Sequence, residues 1–164
     1  MDLRTTRTIR SAIEIRAPLD VVWSVLTDFD AYPAWNPHVR RVVGRPRVGG
    51  RIGIHTRPPG GRTVVMRPVI LAWAPPHELR WRATFVSRAL FAGEHGYRLE
   101  QLAPGRVRFV QDETLSGWLV PLYARARLAA TRLGFAQMNE ALRTRAEAEA
   151  MDPTPPATAV GATA

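Results

Sequence analysis

The chain of 164 residues contains no cysteine and no lysine, and no apolar run approaches the about 18 residues that a membrane helix needs. Without cysteine there is no disulfide framework, no catalytic thiolate and no metal site with thiolate ligands. The first residues also lack the apolar core of a signal peptide. The sequence therefore predicts a soluble, cytoplasmic protein with a single core, since its length suits one domain.

Motifs for metal binding and for several kinds of catalysis are also missing. No two histidines have the i, i+4 spacing of a helical metal site, so we expect no metal and no cofactor. No serine lies in a G-x-S-x-G elbow. The glycines at 49–53 lead into a predicted strand instead of a helix, which excludes a phosphate-binding loop. The four histidines are His38, His55, His77 and His95.

Positive charge is concentrated in one part of the chain. The net charge is +9, from 23 arginines and 14 acidic residues. The segment 31–77 contains eight arginines and no acidic residue, whereas 15 arginines and 14 acids share the rest. Such asymmetry predicts a surface for an acidic or anionic partner, with a merely solvated face as the alternative. Nucleic acid is not expected, because no nucleic-acid-binding motif accompanies the charge. The eight are Arg40, Arg41, Arg45, Arg47, Arg51, Arg57, Arg62 and Arg67.

The apolar pattern predicts a strand at 8–16, a helix that begins near Pro18, and a short bent helix around Pro33. Six further strands are predicted, separated by Gly- and Pro-rich turns, followed by a long helix at 119–149. The strands are expected at 39–45, 51–57, 62–73, 78–86, 93–102 and 105–116. We therefore expect one domain at 1–150 and a disordered Pro/Ala-rich tail at 151–164.

The long helix has two neighbouring apolar stripes that together predict a wide face for covering a sheet. Strands joined by short turns pair antiparallel, so the expected class is α+β, with the helix on one face of the sheet. A cavity is expected where a curved sheet wraps the helix. One stripe contains Leu122, Ala126, Ala129, Leu133 and Ala136, and the other contains Leu128, Phe135, Met138 and Leu142.

Several motifs, in order along residues 8–150, resemble the START-like (SRPBCC) superfamily, with the polyketide cyclase/dehydrase-like branch as the nearest. The opening motifs are APLDVVW at 17–23, TDF at 27–29 and YPAWNP at 32–37. The strand GEHGYRLE at 93–100 resembles a central strand of this group. Further similarity lies in PP at 75–76 with LRW at 79–81, in Phe109, Glu113, Ser116 and Gly117, and in residues 134–142 of the long helix.

The resemblance implies a helix-grip fold, in which a seven-stranded curved antiparallel sheet surrounds the C-terminal helix and an internal hydrophobic pocket. It implies binding of a hydrophobic small molecule, such as a lipid, a polyketide or an aromatic metabolite. An enzyme, a polyketide cyclase/dehydratase of the aromatase type, is the alternative. A third possibility is an interaction module for an acidic protein or a membrane surface. Gly96 departs from the family pattern, and it predicts either a wider pocket or a bulge.

Alternation along two predicted strands places polar side chains on one face. His95, Tyr97 and Leu99 share a face of one strand, and Phe109, Gln111, Glu113 and Leu115 share a face of the next. If both faces point inward, they place a few polar groups in an apolar pocket, as in small-molecule sites. We take His95, Glu113 and Tyr97 as candidate catalytic residues, because a buried carboxyl with a raised pKa suits proton transfer.

The remaining candidate ligand-binding residues are aromatic or lie beside these groups, and plain core packing is the alternative for each. The full candidate set is Trp81, Phe85, His95, Tyr97, Phe109, Gln111, Glu113, Trp118, Tyr123 and Phe135. The connection at 85–91 is unusually apolar, which predicts a lid, a portal that touches a membrane, or a locally packed hairpin. The Arg-rich segment, which we define as 40–67, is a candidate surface for an acidic acyl carrier protein or an anionic membrane.

Overall fold

A computed structural model describes residues 5–152. Within these residues eight strands and three helices follow one another, and each predicted strand and helix has a counterpart. Helix α1 begins directly after Pro18, whose missing N–H costs nothing at a helix start. The elements are β1 Thr5–Ile15, α1 Leu19–Thr27, α2 Tyr32–Trp35, β2 Val39–Val43, β3 Gly53–Thr56, β4 Val64–Met66, β5 Val69–Ala74, β6 Glu78–Phe85, β7 Phe91–Ala103, β8 Arg106–Gly117 and α3 Val120–Met151.

The strands form two antiparallel sheets, and the long helix α3 packs against the larger one. The larger sheet has the order β1-β8-β7-β6-β5, and the smaller has the order β2-β3-β4. Backbone hydrogen bonds between the β2–β3 loop and β5 connect the two sheets, among them Gly49 N to Ile70 O and Ile70 N to Gly50 O, each 2.9 Å long. The α+β class and the helix-grip architecture expected from the sequence are confirmed.

The prediction of seven strands was wrong by one. The strand expected at 62–73 is divided into β4 and β5, with Arg67 and Pro68 between them. Pro68 has no backbone N–H to donate to a neighbouring strand, while its carbonyl accepts a hydrogen bond from Ile52 N at 3.3 Å. The chain therefore leaves the small sheet at Pro68 and enters the large one at Val69.

The register of β7 and β8 confirms that the two expected residue sets lie on one face of the sheet. His95 pairs with Glu113, Tyr97 with Gln111, and Leu99 with Phe109. This face packs on α3, because the Tyr97 hydroxyl lies 3.3 Å from the Met138 sulfur. Burial of Leu99, Phe109 and other apolar side chains between sheet and helices supplies the main stabilisation of the fold.

The prediction of a wide buried face on α3 was only half correct. The stripe with Phe135, Met138 and Leu142 is buried against the sheet. The other stripe is exposed, with Leu122 at 68% and Leu133 at 51% of full exposure. Only Val120 is buried in the first half of α3, before Gly134, so the sheet is covered mainly by the second half of the helix.

Gly96 lies on the opposite, outer face of the sheet, so both explanations offered for it were wrong. The pairing of β7 with its neighbours has no irregularity at Gly96, which excludes a bulge there. The Arg80 guanidinium lies over this glycine, and a Cβ atom at Gly96 would be 2.5 Å from Nη2 of Arg80. Arg80 forms two hydrogen bonds with Asp112, of 3.0 and 3.2 Å. The glycine makes room for this ion pair.

The expected boundary of the domain falls at the end of α3. The helix continues to Met151, and Asp152 follows it. The remainder of the predicted tail, 153–164, lies outside the described residues. Among residues 5–152, no helix has the length and apolarity needed to cross a bilayer.

Candidate functional site

An aromatic cluster surrounds His95 on the inner face of the sheet. The His95 ring stacks on Trp81 from the neighbouring strand, with ring centres 4.7 Å apart and planes 12° from parallel. It meets Tyr97 edge to face at 4.9 Å and Phe135 of α3 at 5.1 Å. Strand pairing aligns Trp81 with His95, and the period of two points both rings toward the helix.

A short polar network joins His95 to α3. Gln111 Nε2 lies 3.1 Å from His95 Nε2 and 3.6 Å from the Met138 sulfur. The Tyr97 hydroxyl donates to the same sulfur at 3.3 Å. The Gln111 Oε1 atom is buried without a partner. A buried acceptor without a partner is costly, so this oxygen is available to a hydroxyl or N–H group of a ligand.

His95 is held in its neutral form. Burial lowers the pKa of His95 from 6.5 to about 3, and the nearby Arg80 adds to this effect while Asp112 opposes it. With Gln111 Nε2 as the donor, His95 Nε2 is the acceptor and the ring proton is on Nδ1. Near neutral pH the imidazole is therefore an uncharged acceptor.

Glu113 is the carboxyl group of this inner face. Burial raises the pKa of Glu113 from 4.5 to about 7. Within the part of the chain that the structure describes, the carboxyl accepts no hydrogen bond and has no cationic partner. Gly93 lies beside it, and a Cβ atom there would be 3.0 Å from Glu113 Oε1. A carboxyl with a pKa near 7 can both donate and accept a proton at physiological pH.

Tyr123 marks the edge of the cluster at the start of α3. Its hydroxyl is 3.0 Å from the Thr131 hydroxyl, and its ring lies 5.2 Å from Phe91. Burial is the main cause that raises the pKa of Tyr123, and the charge of Glu113 contributes to the shift. Tyr123 and Phe91 are both half-buried, so this ring pair lies at the edge of the core.

The structure brings most of the candidate residues together. Seven lie on the inner face or on the side of α3 that packs against it, namely Trp81, His95, Tyr97, Phe109, Gln111, Glu113 and Phe135. Phe109 is fully buried and contacts Tyr97 at 5.5 Å. Phe85 and Trp118 are 65% and 64% exposed, and among the described residues neither makes a ring contact with the cluster.

Sequence reasoning did not include Met138, Phe91 and Thr131 among the candidates. The sequence places Met138 in the same apolar stripe of α3 as Phe135, and that shared stripe was the signal that could have added it to the candidates. Phe91 lies at the start of β7, opposite Phe85. Thr131 reaches Tyr123 through two turns of helix, a spacing that becomes informative only when the helix position is known.

Two surface hollows of the described residues are well enough formed to compare with the His95 cluster, and neither is lined by a residue of that cluster. One, of about 440 Å³, is lined by Phe29, Asp30, Pro33, Arg40, Arg41, Val42, Val43 and Gly44. The other, of about 460 Å³, is shallow and lies along Pro37 and residues 136–141 of α3. Where the sequence predicts an internal pocket, the rings of Trp81, Tyr97 and Phe135 all contact His95. Within residues 5–152, no three His, Asp or Glu side chains are placed to hold a metal ion.

Comparison with known proteins identifies the relatives of this fold. The model of a family described as polyketide cyclase/dehydrase and lipid transport matches residues 6–147. The chain belongs to this family. It is thereby a member of the START-like superfamily, as the sequence motifs indicated. Among curated proteins, no sequence relative is found.

Solved structures in the polyketide cyclase/dehydrase superfamily share the fold. The Zhui aromatase/cyclase from Streptomyces sp. R1128 is similar with a TM-score of 0.74 and 18% identity, over 93% of this chain and all of that chain. A START superfamily protein from Mycobacterium smegmatis has a TM-score of 0.67 and 20% identity, over 86% and 97% of the two chains. The di-domain ARO/CYC StfQ from the steffimycin biosynthetic pathway has a TM-score of 0.63 and 17% identity, over 85% of this chain and 52% of that chain. At these identities the similarity establishes the fold.

Proposed function

We propose that the protein binds a hydrophobic small molecule, such as a lipid, a polyketide or an aromatic metabolite, between the large sheet and α3. The observation that carries this proposal is the inner face itself. His95, Gln111 and Glu113 lie among aromatic walls, and neither Gln111 Oε1 nor the Glu113 carboxyl has a hydrogen-bond partner among the described residues. Apolar walls with a few convergent polar groups are the usual anatomy of a ligand site.

Entry of the ligand requires movement of side chains, because Phe135 and Trp81 close on His95 from two sides. The first half of α3 is the element best suited to move. Before Gly134 only Val120 is buried, so displacing the first half of the helix breaks few buried apolar contacts. An apolar ligand that replaces those contacts would stabilise the opened form.

A filled-pocket variant tests the proposal. Gly93→Val places a branched side chain against Glu113 and Leu115. Gly53→Val is the matched control, because Gly53 lies in the small sheet, where a Cβ atom meets only Val43 at 3.6 Å. We expect the wild type and Gly53→Val to bind an aromatic polyketide probe saturably, as measured by fluorescence. Gly93→Val should not bind the probe. Equal binding by all three, or by none, would contradict the proposal.

A second candidate function is a dehydration step of a polyketide cyclase/dehydratase, favoured by the pKa of about 7 at Glu113. Glu113 would remove a proton from the carbon next to a carbonyl and return it to the departing hydroxyl. The C–H and C–O bonds break, a C=C bond forms and water leaves. His95 would accept a hydrogen bond from the substrate. Tyr97 would only donate a hydrogen bond and would not act as a base, because burial raises the pKa of its hydroxyl above the ordinary tyrosine value.

The test of this second candidate is turnover of poly-β-carbonyl thioesters, with release of water followed by mass spectrometry. Loss of turnover in Glu113→Gln and in His95→Phe, with probe binding retained, would support catalysis. Turnover unchanged in both variants would remove these residues from the mechanism. Binding without turnover in the wild type leaves a binding protein as the function.

The Arg-rich segment would supply the docking surface for an acidic acyl carrier protein in the catalytic case. Arg40 and Arg41 are exposed, line the 440 Å³ hollow and have no acidic partner among the described residues. We expect Arg40→Ser with Arg41→Ser to weaken carrier binding and its salt dependence. Arg106→Ser, at the exposed β7–β8 turn, is the control. Equal carrier binding by the two variants, or carrier binding that high salt leaves unchanged, would contradict this interface. If the protein binds anionic vesicles and not the carrier, the membrane alternative is favoured.

A further inference from the structure

Five large apolar side chains are exposed at one end of the protein. Single exposed apolar residues are ordinary, but a group that includes a tryptophan and a phenylalanine marks an interaction surface. We call this group the apolar rim. Its members are Phe85, Val86, Trp118, Leu119 and Leu122, which are 65%, 82%, 64%, 37% and 68% exposed.

Hydrogen bonds bring the two halves of the apolar rim together. Trp118 N donates to Ala89 O at 3.0 Å, and Leu119 N donates to Leu90 O at 3.1 Å. The β6–β7 loop is thus attached to the turn that leads into α3. Phe91 directly follows the β6–β7 loop, Tyr123 directly follows Leu122, and the two rings lie 5.2 Å apart. This ring pair therefore also connects the two halves of the apolar rim.

Val86, the first residue of the β6–β7 loop, has an unusual conformation. Its φ angle of 63° lies in the left-handed region, which a β-branched side chain rarely adopts. Glycine or asparagine would fit this backbone with less strain. The Val86 side chain is also the most exposed of the apolar rim. Neither the backbone geometry nor packing within residues 5–152 favours a valine at this position, whereas an apolar surface outside the protein would.

The surroundings of the apolar rim are cationic. No acidic residue occurs in 79–93 or in 114–139. Arg88 is exposed in the loop, and three further arginines are exposed on the first half of α3, namely Arg125, Arg127 and Arg132. None of the four forms an ion pair with any residue that the structure describes. Their charges are therefore free to meet an anionic surface.

We propose that the apolar rim docks on the surface of a lipid bilayer that contains anionic lipids. Exposed tryptophan, phenylalanine and aliphatic side chains flanked by arginines have the composition of an interfacial membrane contact. The apolar side chains enter the boundary of the acyl chains, while the arginines meet the negative headgroups. This inference does not depend on the proposed ligand site, and a vesicle assay without ligand tests it separately.

The experiment uses vesicles of phosphatidylcholine, with and without phosphatidylglycerol, and measures co-sedimentation of the full chain. We expect binding to the vesicles with phosphatidylglycerol, with a steep decrease at high salt. Phe85→Ser with Val86→Ser should weaken this binding about tenfold or more, because two large apolar groups no longer enter the lipid. Val48→Ser is the matched control, since Val48 is 64% exposed but lies in the Arg-rich segment.

Trp118 provides a second readout, since it is the one tryptophan among the exposed large apolar residues of the described chain. Brominated lipid should quench the wild-type fluorescence, and Trp118→Phe should lose that quenching while it keeps binding. Absence of vesicle binding would overturn the proposal. So would binding that persists in Phe85→Ser with Val86→Ser without quenching, because the Arg-rich segment would then be the contact. Self-association that the same double variant abolishes, without vesicle binding, would assign the apolar rim to a second copy of this chain.

Discussion

Replacement of Glu113 by glutamine should change the pH dependence of stability. The Glu113 carboxyl has a pKa of about 7 in the folded protein and an ordinary value of 4.5 otherwise. One pKa unit corresponds to 1.36 kcal/mol, so the ionised carboxyl costs the folded state about 3 kcal/mol. Glutamine has nearly the same shape and no charge, so Glu113→Gln should remove this cost.

The sign follows from proton binding. Between pH 4.5 and about 7 the folded state retains a proton that the unfolded chain has released, so the free energy of unfolding decreases as pH increases. Below pH 4.5 both states are protonated, and above about 7 both are ionised. The advantage of Glu113→Gln over the wild type should therefore grow from near zero to about 3 kcal/mol across this range.

Urea unfolding of both proteins at several pH values measures this difference, and other titrating groups cancel when the two curves are subtracted. Asp20→Asn, at an exposed position of α1, is the comparison for the loss of a surface carboxylate. A difference between Glu113→Gln and the wild type that stays constant from about pH 4.5 to about pH 8 would refute the reasoning, since Glu113 would then titrate equally in both states.

Three further substitutions test other parts of the structure. Burial holds the pKa of His95 at about 3 instead of 6.5, so the unfolded chain binds a proton that the folded state does not. Lowering the pH from about 6.5 to about 3 should therefore reduce the free energy of unfolding of the wild type by up to about 5 kcal/mol more than that of His95→Gln. Free energies of unfolding in urea that fall in parallel for the two proteins over this pH range would contradict this. Gly96→Ala should cost about 1–2 kcal/mol by displacing Arg80, and an equal cost in an Arg80→Ala background, measured by a double-mutant cycle, would disprove the coupling. Gly117→Ala should cost about 2–4 kcal/mol, because φ is 127° and the new Cβ would lie 2.5 Å from a backbone carbonyl; Gly60→Ala, with φ of 64° and open space around it, should cost about 1 kcal/mol in the same thermal unfolding assay.

The order of the elements and the inner face of the sheet were predictable from local patterns. Alternation with a period of two placed His95 and Tyr97 on one face of their strand and Gln111 and Glu113 on one face of the next. The strand pairing then decided that these two faces are the same face of the sheet. Motifs such as GEHGYRLE at 93–100 identified the superfamily. Both signals depend on neighbours in the chain, which is why they were available before the fold was known.

The positions that the patterns missed depend on contacts between distant parts of the chain. Both stripes of α3 are apolar in sequence, and only packing against the sheet decided that Phe135 is buried while Leu122 is exposed. The role of Gly96 required Arg80 and Asp112, which strand pairing brings to either side of it.

The sequence by itself determined the composition of this protein, its secondary structure and its family. Tertiary structure decided the charge states of His95 and Glu113 and the exposure of the apolar rim. Burial shifts a pKa by removing water from around the group, and the amount of water removed depends on which strands and helices pack over it. The same packing left most side chains of the first half of α3 and of the β6–β7 loop exposed.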